Sequence, residues 1–258
     1  MPIVQSTTYR FDSTAKVAAL VDMPTECIYS RFANPTCDAV EKKIASLEGG
    51  VGAMLTSSGQ AASLLSILTL CSAGDSFIAA STIYGGTINL FGVTLKKLGI
   101  ECIWADAEAS EEEVQKLFKP NTKAVFGETL ANPALTVFDI EKWANIAHKN
   151  NVPLIVDNTF ATPVLCRPIE WGADIVIHST TKYMDGHAVQ GGGVIVDGGK
   201  FDWAASGKFP DFTEPDESYH GVVYTREFGA MAYIIKARLQ PMRAFGCSPA
   251  AHSAFLHN

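Results

Sequence analysis

Short apolar runs alternate with segments of helical periodicity along most of the chain. Each run is bounded by Gly, Pro or polar residues, which is typical of a buried strand. Between the runs, apolar residues recur three and four positions apart, which predicts amphipathic helices. The predicted strands span residues 51–56, 77–80, 101–104, 124–127, 154–156, 175–178 and 193–196. The predicted helices span residues 60–71, 86–97, 110–118 and 139–149.

This alternation of strands and crossover helices predicts an α/β fold with a mostly parallel, doubly wound sheet flanked by helices. Such a sheet binds its ligand at the carboxyl ends of its strands. After residue 200 the alternation stops, and a loop at residues 209–220 leads to a predicted helix at residues 226–239. We expect Pro241 to break or kink this helix, because proline lacks the backbone donor and clashes with the preceding turn.

Composition and charge exclude several classes of protein. The net charge is −7 and the basic residues are scattered, which argues against a nucleic-acid interface. No apolar run approaches the roughly 20 residues that a membrane helix needs, and the first residues do not resemble a secretory signal. The six cysteines form no C-x-x-C pair, which indicates free thiols rather than a structural zinc site. These features predict a cytoplasmic protein.

Lys182 follows the predicted strand 175–178 and lies among hydroxyl residues, in Ser179-Thr-Thr-Lys182-Tyr183. A lysine ammonium is strongly hydrated, so its position at the mouth of a buried strand suggests a chemical role. A desolvated lysine loses its proton readily and becomes a nucleophile toward aldehydes, which favours imine chemistry. An exposed lysine in a polar loop is the alternative, and this segment alone does not separate the two.

Four further features lie near the predicted strand ends or in the N-terminal region. Small residues at 56–62 open a helix whose free amide groups suit a phosphate, or form a plain helix cap. Asp157, after a buried strand, suits a cationic ring nitrogen, or else an arginine or a helix N-terminus. Tyr84, before two glycines, suits stacking on a planar ligand or a core position. Arg31, near Tyr29, suits a phosphate or an ordinary surface loop.

Together these features predict a pyridoxal phosphate site, because this cofactor requires a lysine, a partner for its ring nitrogen and a phosphate cradle. The chain lacks the Walker spacing and the G-x-G-x-x-G pattern, which argues against a nucleotide site and a Rossmann-type dehydrogenase. His178 and His187 flank Lys182 without accompanying carboxylates or thiols in a ligating pattern. We therefore predict hydrogen-bonding or solvent-exposed histidines and no metal site.

Three motifs resemble those of the Cys/Met-metabolism family of fold-type-I pyridoxal phosphate enzymes, and the resemblance covers almost the whole chain. They are Ser179-Thr-Thr-Lys182-Tyr183 with Gly186-His187, Asp157-Asn-Thr-Phe-Ala-Thr-Pro163, and Glu128-Thr-Leu-Ala-Asn132-Pro133. Within the family, segments 209–221 and 228–234 look most like O-acetylhomoserine sulfhydrylases. In methionine γ-lyases a cysteine usually follows the Tyr-Gly motif, whereas Gly86 follows it here. This difference weakens the lyase alternative.

The resemblance implies a role for each matching residue. Lys182 is the Schiff-base lysine and proton shuttle, Asp157 pairs with the pyridinium nitrogen, and Tyr84 stacks on the ring and assists departure of the leaving group. The implied phosphate ligands within the subunit are Ser58, Gly59, Gln60, Ser179 and Thr181.

The resemblance also implies contacts around the ring and across subunits. Asn132 lies near the ring oxygen of the cofactor, with Glu128 close behind it. Tyr29 and Arg31 reach the phosphate of a neighbouring subunit, which implies a homodimer or homotetramer with shared active sites.

The implied reaction is γ-replacement on O-acetylhomoserine, in which sulfide or a small thiol displaces acetate and gives homocysteine or methionine. Cystathionine γ-synthase or methionine γ-lyase chemistry on the same scaffold is an alternative. A chain that binds the cofactor without turnover is another.

Family members continue into a smaller C-terminal domain that carries the arginine for the substrate carboxylate. Arg226, Arg238 and Arg243 do not match its motif, so we expect this sequence to contain the cofactor site without that arginine. The resemblance divides the chain into an N-terminal arm that contacts a neighbouring subunit, a large cofactor-binding domain and the start of a linking helix, at residues 1–50, 51–225 and 226–258.

Overall fold

The computed structural model describes residues 1–22 and 27–258, so residues 23–26 of the predicted arm lie outside the described residues. Within them, one sheet comprises β1 (Gly52–Thr56), β2 (Ser76–Ala80), β3 (Glu101–Ala105), β4 (Thr122–Glu128), β5 (Leu154–Asp157), β6 (Ile175–His178) and β7 (Gly193–Asp197). The α-helices are α1 (Thr14–Asp22), α2 (Pro35–Glu48), α3 (Gly59–Leu68), α4 (Gly85–Asn89), α5 (Leu95–Lys97), α6 (Glu111–Gln115), α7 (Ile140–Lys149), α8 (Thr162–Leu165), α9 (Trp203–Ser206), α10 (Pro210–Thr213), α11 (Tyr224–Phe228), α12 (Ala232–Ala237), α13 (Arg243–Phe245) and α14 (Ala251–Leu256).

The strand order in the sheet is β1-β7-β6-β5-β4-β2-β3. Neighbouring strands from β3 to β6 are parallel, whereas β7 is antiparallel to both β6 and β1. Every strand except β7 therefore runs in the same direction, which confirms the predicted mostly parallel sheet. The carboxyl ends of these strands meet at one edge, where the loops that follow them can form a site.

The central strands are apolar on both sides because helices cover both faces of the sheet. Every residue of β2 and of β7 is buried. Helix α7 shows how the covering helices are patterned: Trp143 and Ala147 are buried, whereas Glu141 is exposed. The indole Nε1 of Trp143 donates a hydrogen bond to the carbonyl oxygen of Ala107 at 3.2 Å, which satisfies its one polar atom inside the core.

Several helices differ in extent from the pattern-based prediction. Helices α3 and α6 end three residues earlier than predicted, and a two-residue turn follows each of them. The helix predicted at residues 86–97 comprises α4, a π-helical segment at Leu90–Thr94, and α5. No helix in the described ranges is both long and apolar enough to cross a membrane.

The region after β7 does not form the single helix predicted at residues 226–239. Helix α11 ends before Gly229, whose φ of +53° interrupts the regular helix, and a 3-10 turn leads into α12. Pro241 does not end the helix, since the chain continues through a π-helical segment at Arg238–Met242 into α13. A wider turn relieves the clash that a proline ring makes in a regular α-helix, which explains the continuation.

Helix α2 lies in the region predicted only as an arm, yet it packs against β1. The side chain of Asn34 accepts a hydrogen bond from the amide of Thr36 at 2.9 Å, and Pro35 occupies the first helical position, so the sequence starts a helix there. The helix carries two buried carboxyl side chains, Glu41 and Glu48, toward the sheet. Buried carboxylates require partners, and each has one.

Glu41 pairs with Arg238, which joins α2 to the helical region after β7. The guanidinium donates to Glu41 Oε2 at 2.6 Å and to the carbonyl oxygen of Phe32 at 2.7 Å, while Glu41 Oε1 accepts from the amide of Leu55 at 2.8 Å. Only 8% of the Glu41 side chain and 16% of the Arg238 side chain are exposed. This pair therefore joins α2, the edge strand β1 and the helical region after β7. Glu41 and Arg238 are 197 positions apart in the sequence.

We predict that Glu41→Gln lowers the free energy of unfolding by about 3 kcal/mol, because it leaves Arg238 buried without its counter-charge. Urea denaturation of the two proteins measures the difference. Glu101→Gln is the matched control, since Glu101 pairs with Lys119 at 2.7 Å but more than half of its side chain is exposed. Its expected cost is below about 1 kcal/mol. Equal losses in the two variants would contradict the prediction.

Candidate active site

The loops that follow β1, β2, β4, β5 and β6 enclose a cavity of about 190 Å³ at the carboxyl edge of the sheet. It is lined by Ser58, Gly59, Gln60, Ser63, Tyr84, Thr87, Glu128, Asn132, Asp157, Thr159, Phe160, Ser179, Thr181 and Lys182. Every residue named from the sequence as a site candidate lies in this set except Tyr29 and Arg31. Four lining residues were not predicted from the sequence: Ser63, Thr87, Thr159 and Phe160. Thr159 and Phe160 belong to the motif that begins at Asp157.

One end of the cavity is the start of α3. The hydroxyl of Ser58 accepts from the amide of Ala61 at 3.1 Å, and the first regular helical bond runs from Ala62 to Ser58. The amide groups of Gly59 and Gln60 precede that bond, so the helix dipole and these donors suit an anion. A β-carbon on Gly59 would lie 2.5 Å from the Cβ of Ser179, so only glycine permits this close approach of the two loops.

Side chains around this end are held by hydrogen bonds. The side-chain amide nitrogen of Gln60, Nε2, donates to Thr87 Oγ1 at 3.1 Å. The hydroxyl of Thr181 donates to the carbonyl of Gly192 at 3.2 Å and accepts from its amide at 3.0 Å, which fixes the loop that follows β6. Ser179 donates its amide to Thr159 Oγ1 at 2.9 Å, which joins the loops after β5 and β6.

Asp157 is the last residue of β5 and directs a carboxyl group into the cavity. Its Oδ1 accepts from the hydroxyl of Thr159 at 2.5 Å and from the amide of Thr159 at 3.0 Å. Desolvation raises the pKa of Asp157, while the Thr159 bonds and the charge of His178 lower it. A cation in the cavity would favour the ionised carboxylate further.

Glu128, the last residue of β4, is the direct register partner of Asp157. Its Oε2 accepts from the amide of Tyr84 at 2.8 Å, and its side chain is buried. Burial, and then the charge of Asp157, raise the pKa of Glu128 to about 8, although the amides of Tyr84 and Asn132 partly offset the rise. Two carboxyl groups therefore share this side of the cavity, and one of them holds its proton in neutral solution.

Tyr84 and Lys182 lie at the open side of the cavity. Tyr84 is 47% exposed, and its ring covers Gly86 so closely that a β-carbon there would lie 2.5 Å from Tyr84 Cε1. Lys182 is exposed in this chain, as in the second of the two alternatives that its sequence segment left open, although it lines the cavity. The mouth of the cavity is open to solvent in this chain, so the residues around Lys182 do not exclude water from its amine.

These groups fit pyridoxal phosphate. A carboxyl group suits the ring nitrogen, an aromatic ring suits the ring face, an amine suits the aldehyde, and a helix start with neighbouring hydroxyls suits the phosphate. Within the described residues, no group of three or more His, Cys, Asp or Glu side chains could hold a metal ion. The chemistry of the cavity therefore matches this cofactor in each of its parts.

The whole chain, residues 1–258, matches the profile of the family described as Cys/Met metabolism PLP-dependent enzymes. The chain belongs to this family.

Similar proteins agree with the assignment. The chain is 47% identical to O-acetyl-L-homoserine sulfhydrylase of Corynebacterium glutamicum and 44% identical to homocysteine/cysteine synthase of Kluyveromyces lactis, over 99% of its own length in both cases. It covers 59% and 58% of those proteins, so this family member spans about three-fifths of the relatives that it matches.

Solved structures show the same fold. The Campylobacter jejuni protein metY, described as an O-acetylhomoserine (thiol)-lyase and carrying a pyridoxyl-lysine monophosphate, superimposes with a TM-score of 0.94 at 35% identity. All of this chain and 64% of that protein are covered. The metB protein of Corynebacterium glutamicum gives a TM-score of 0.77 at 31% identity, covering 57% of its length.

Tyr29 and Arg31 lie away from the cavity of their own chain. They line a separate cavity formed with residues 4–7 and 248–252. The guanidinium of Arg31 donates to the carbonyl oxygen of Arg243 and lies 5.4 Å from the ring centres of Tyr29 and Phe32.

The two histidines next to Lys182 differ in environment. His178 is fully buried, and its Nε2 lies 2.5 Å from Glu48 Oε1. His187 is exposed. Both arrangements agree with the predicted hydrogen-bonding or solvent-exposed roles.

We predict that Glu128→Gln flattens the pH dependence of stability in the cofactor-free protein. The pKa of Glu128 is raised from 4.5 to about 8 in the folded state, so folding favours its protonated form. The wild type should thus lose stability as pH rises through this interval, by up to about 1.4 kcal/mol per pH unit. Urea unfolding between pH 5 and pH 8 measures this slope.

The control for this experiment is Glu112→Gln, because Glu112 is exposed on α6. In Glu112→Gln the free energy of unfolding should fall with rising pH as steeply as it does in the wild type. A Glu128→Gln profile parallel to that of the wild type would contradict the assignment of a raised pKa to Glu128.

Proposed function

We propose that this chain forms the cofactor-binding part of an O-acetylhomoserine sulfhydrylase. In this reaction sulfide or a small thiol replaces acetate on the γ-carbon of O-acetylhomoserine, giving homocysteine or methionine. The observation that carries the proposal is the convergence of Lys182, Asp157 and Tyr84 with the start of α3 in one cavity. The 47% identity to a relative named O-acetyl-L-homoserine sulfhydrylase supports this substrate class.

Pyridoxal phosphate, when bound, supplies an aldehyde that bonds to amines and a protonated ring that withdraws electrons from the substrate α-carbon. Lys182 Nζ would hold the aldehyde carbon and, when released, move a proton at the α-carbon of the substrate. The Asp157 carboxylate would keep a proton on the ring nitrogen, because the opposite charges stabilise each other. Tyr84 would orient the ring by stacking on it.

The phosphate would be held at the start of α3. The backbone amides of Gly59 and Gln60 and the hydroxyls of Ser58 and Ser179 are the donors that we assign to it. Thr181 would join them by giving up its bond to the carbonyl of Gly192. Asn132 would face the ring oxygen, and Glu128 would hold Tyr84 in place by accepting the hydrogen bond from the backbone amide of Tyr84. The negative phosphate would thus be bound by neutral donors within the chain.

We propose that Tyr29 and Arg31 of a second copy also contact the phosphate, in a homodimer or homotetramer. Arg31 would supply the positive charge that balances the phosphate. Their exposure to a separate cavity on their own chain supports this division of the site between subunits. We further propose that residues 1–50 form the contacting arm, that residues 51–225 form the cofactor domain, and that residues 226–258 begin the connection to a second domain. The six free cysteines support a reducing compartment, and we propose the cytoplasm.

γ-Synthase or γ-lyase chemistry on this scaffold is the second candidate, because the motif resemblance covers the whole Cys/Met-metabolism family. Two observations favour the sulfhydrylase. The similarity to the O-acetylhomoserine (thiol)-lyase structure is higher, with a TM-score of 0.94 against 0.77. The residue after Gly85 is glycine, and the ring of Tyr84 leaves no room for a cysteine side chain there in this conformation. Product analysis with O-acetylhomoserine plus sulfide, O-acetylhomoserine plus cysteine, and methionine alone separates the three activities.

We predict that Lys182→Ala abolishes covalent attachment of pyridoxal phosphate. Borohydride reduction of the wild-type protein with added cofactor should fix the label on the peptide that contains Lys182, because reduction makes the lysine–cofactor bond permanent. Peptide mass spectrometry identifies the site. Lys116→Ala, which changes an exposed lysine, should label as the wild type does. Labelling of another lysine in the wild type would refute the assignment.

We predict that Arg31→Ala weakens cofactor affinity by about 1.5–3 kcal/mol, the usual worth of a hydrogen bond to a charged group. Titration of cofactor-free protein, followed by absorbance, measures the affinity. Arg226→Ala is the control, because the Arg226 side chain is 70% exposed.

Complementation tests whether the site is shared. Mixed assemblies of Arg31→Ala and Lys182→Ala chains contain sites with Lys182 from one chain and Arg31 from the other. These sites should bind with wild-type affinity if Arg31 acts across the interface. Failure to recover that affinity in the mixture would place Arg31 outside the shared site.

A further inference from the structure

Behind Asp157, on the side away from the cavity residues, lies a buried polar cluster that the proposed chemistry does not use. It comprises Glu48 at the end of α2, His178 at the end of β6, and Asn158 directly after β5. Each of the three is 0% exposed. Glu48 Oε1 lies 2.5 Å from His178 Nε2 and accepts from Asn158 Nδ2 at 3.0 Å. A side chain 130 positions away in the sequence thus reaches the strand end next to Lys182.

The cluster is joined to the backbone on both sides of Asp157. The amide of Asn158 donates to the carbonyl of Ile177 at 2.9 Å, and Ile177 is the register partner of Asp157. Asn158 Oδ1 accepts from the hydroxyl of Thr129 at 2.9 Å, and the amide of Thr129 donates to the carbonyl of Asp157 at 3.0 Å. The ends of β4, β5 and β6 are therefore held together through one asparagine, and Glu48 holds that asparagine.

The cluster also carries charge close to Asp157. The charge of His178 lowers the pKa of Asp157, in opposition to the desolvation that raises it. The 2.5 Å contact between His178 Nε2 and Glu48 Oε1 is as short as a charge-assisted hydrogen bond between an imidazole and a carboxylate. The same Glu48 oxygen also accepts from Asn158 Nδ2 at 3.0 Å.

Stability alone is a weak reason for such a cluster. Glu48 Oε2 and His178 Nδ1 have no hydrogen-bond partner among the described residues, although both are buried. An unsatisfied buried polar atom costs about 1–3 kcal/mol, and apolar residues of similar volume often stabilise a fold at least as well as a buried ion pair. This cluster retains the cost of two buried atoms without partners, and it lies next to Asp157, which lines the cavity. That combination points to an electrostatic role.

We propose that Glu48 and His178 are positioning residues that hold Asp157 in place and supply a positive charge behind it, which strengthens the hold of Asp157 on the protonated ring nitrogen of the cofactor. This inference rests on the proposed function. In this arrangement Glu48 pairs with a His178 imidazolium, and that positive charge favours a carboxylate on Asp157 beside the second carboxyl group, Glu128. Loss of Glu48 or of His178 should therefore have the same consequence.

The test is a double-mutant cycle on pyridoxal phosphate affinity, measured by titrating cofactor-free protein. We expect Glu48→Gln and His178→Gln each to weaken binding about tenfold, which corresponds to roughly one pKa unit of lost charge interaction. The double variant should lose the same tenfold, because the two residues act as one unit. In an Asp157→Asn background each change should alter affinity less than about twofold, since the carboxylate through which they act is absent.

Glu41→Gln is the matched control, because it removes a buried carboxylate from the same helix, where its partner is Arg238 rather than His178. It should lower stability and leave cofactor affinity within about twofold of the wild type. Thermal unfolding of each cofactor-free variant shows whether it folds. If Glu48→Gln does not fold, His178→Gln in the wild-type and Asp157→Asn backgrounds completes the test.

Nitrogen-15 NMR of the imidazole gives a readout that a merely structural role would not change. We expect imidazolium signals from His178 in the wild type at pH 7 and neutral imidazole signals in Glu48→Gln. Equal losses of affinity in the wild-type and Asp157→Asn backgrounds, unchanged affinity, or a neutral His178 in the wild type would each overturn the proposal. Absence of borohydride labelling at Lys182 would instead overturn the proposed function, so the two failures are distinguishable.

Discussion

The register between β4 and β5 is the constraint on which the site depends. It pairs Glu128 with Asp157 at the ends of two parallel strands, so two carboxyl groups face the same cavity. Two like charges this close in a partly desolvated place cannot both form without compensation. Hydrogen bonds offset part of the cost of placing two carboxyl groups together. The backbone amides of Tyr84 and Asn132 donate to Glu128, and Thr159 donates to Asp157. A cavity built this way favours a ligand that brings a positive charge.

Helix α2 connects this electrostatic arrangement to the rest of the fold. One of its buried carboxylates, Glu41, binds Arg238 and so fixes the helical region after β7. The other, Glu48, meets His178 and Asn158 behind the cavity. Both contacts cross more than a hundred positions of sequence, so they form only when the sheet and the flanking segments are assembled. The helix therefore stabilises the fold through Glu41 and contacts the residues behind the cavity through Glu48.

The cavity is lined by Asp157 and the start of α3 on one side and is open on the side of Lys182 and Tyr84. Both residues are exposed, although the family is PLP-dependent and the similar Campylobacter jejuni structure carries a pyridoxyl-lysine. The chain spans about three-fifths of its relatives, and Tyr29 and Arg31 face away from the cavity of their own chain.

The local pattern of apolar and polar residues determined much of the fold and of the candidate site. Apolar runs specified all seven strands of the sheet, because strands buried on both faces need continuous apolar residues, and the order of strands and helices specified the parallel arrangement. The motifs around Lys182, Asp157 and Tyr84 indicated the cofactor, because few side chains suit an aldehyde, a ring nitrogen and a ring face. Only the tertiary structure decided the register of Glu128 with Asp157, the partners of Glu48 and Glu41, and the passage of the helix through Pro241. Those features depend on contacts between distant segments, and local periodicity carries no information about which buried polar groups will meet.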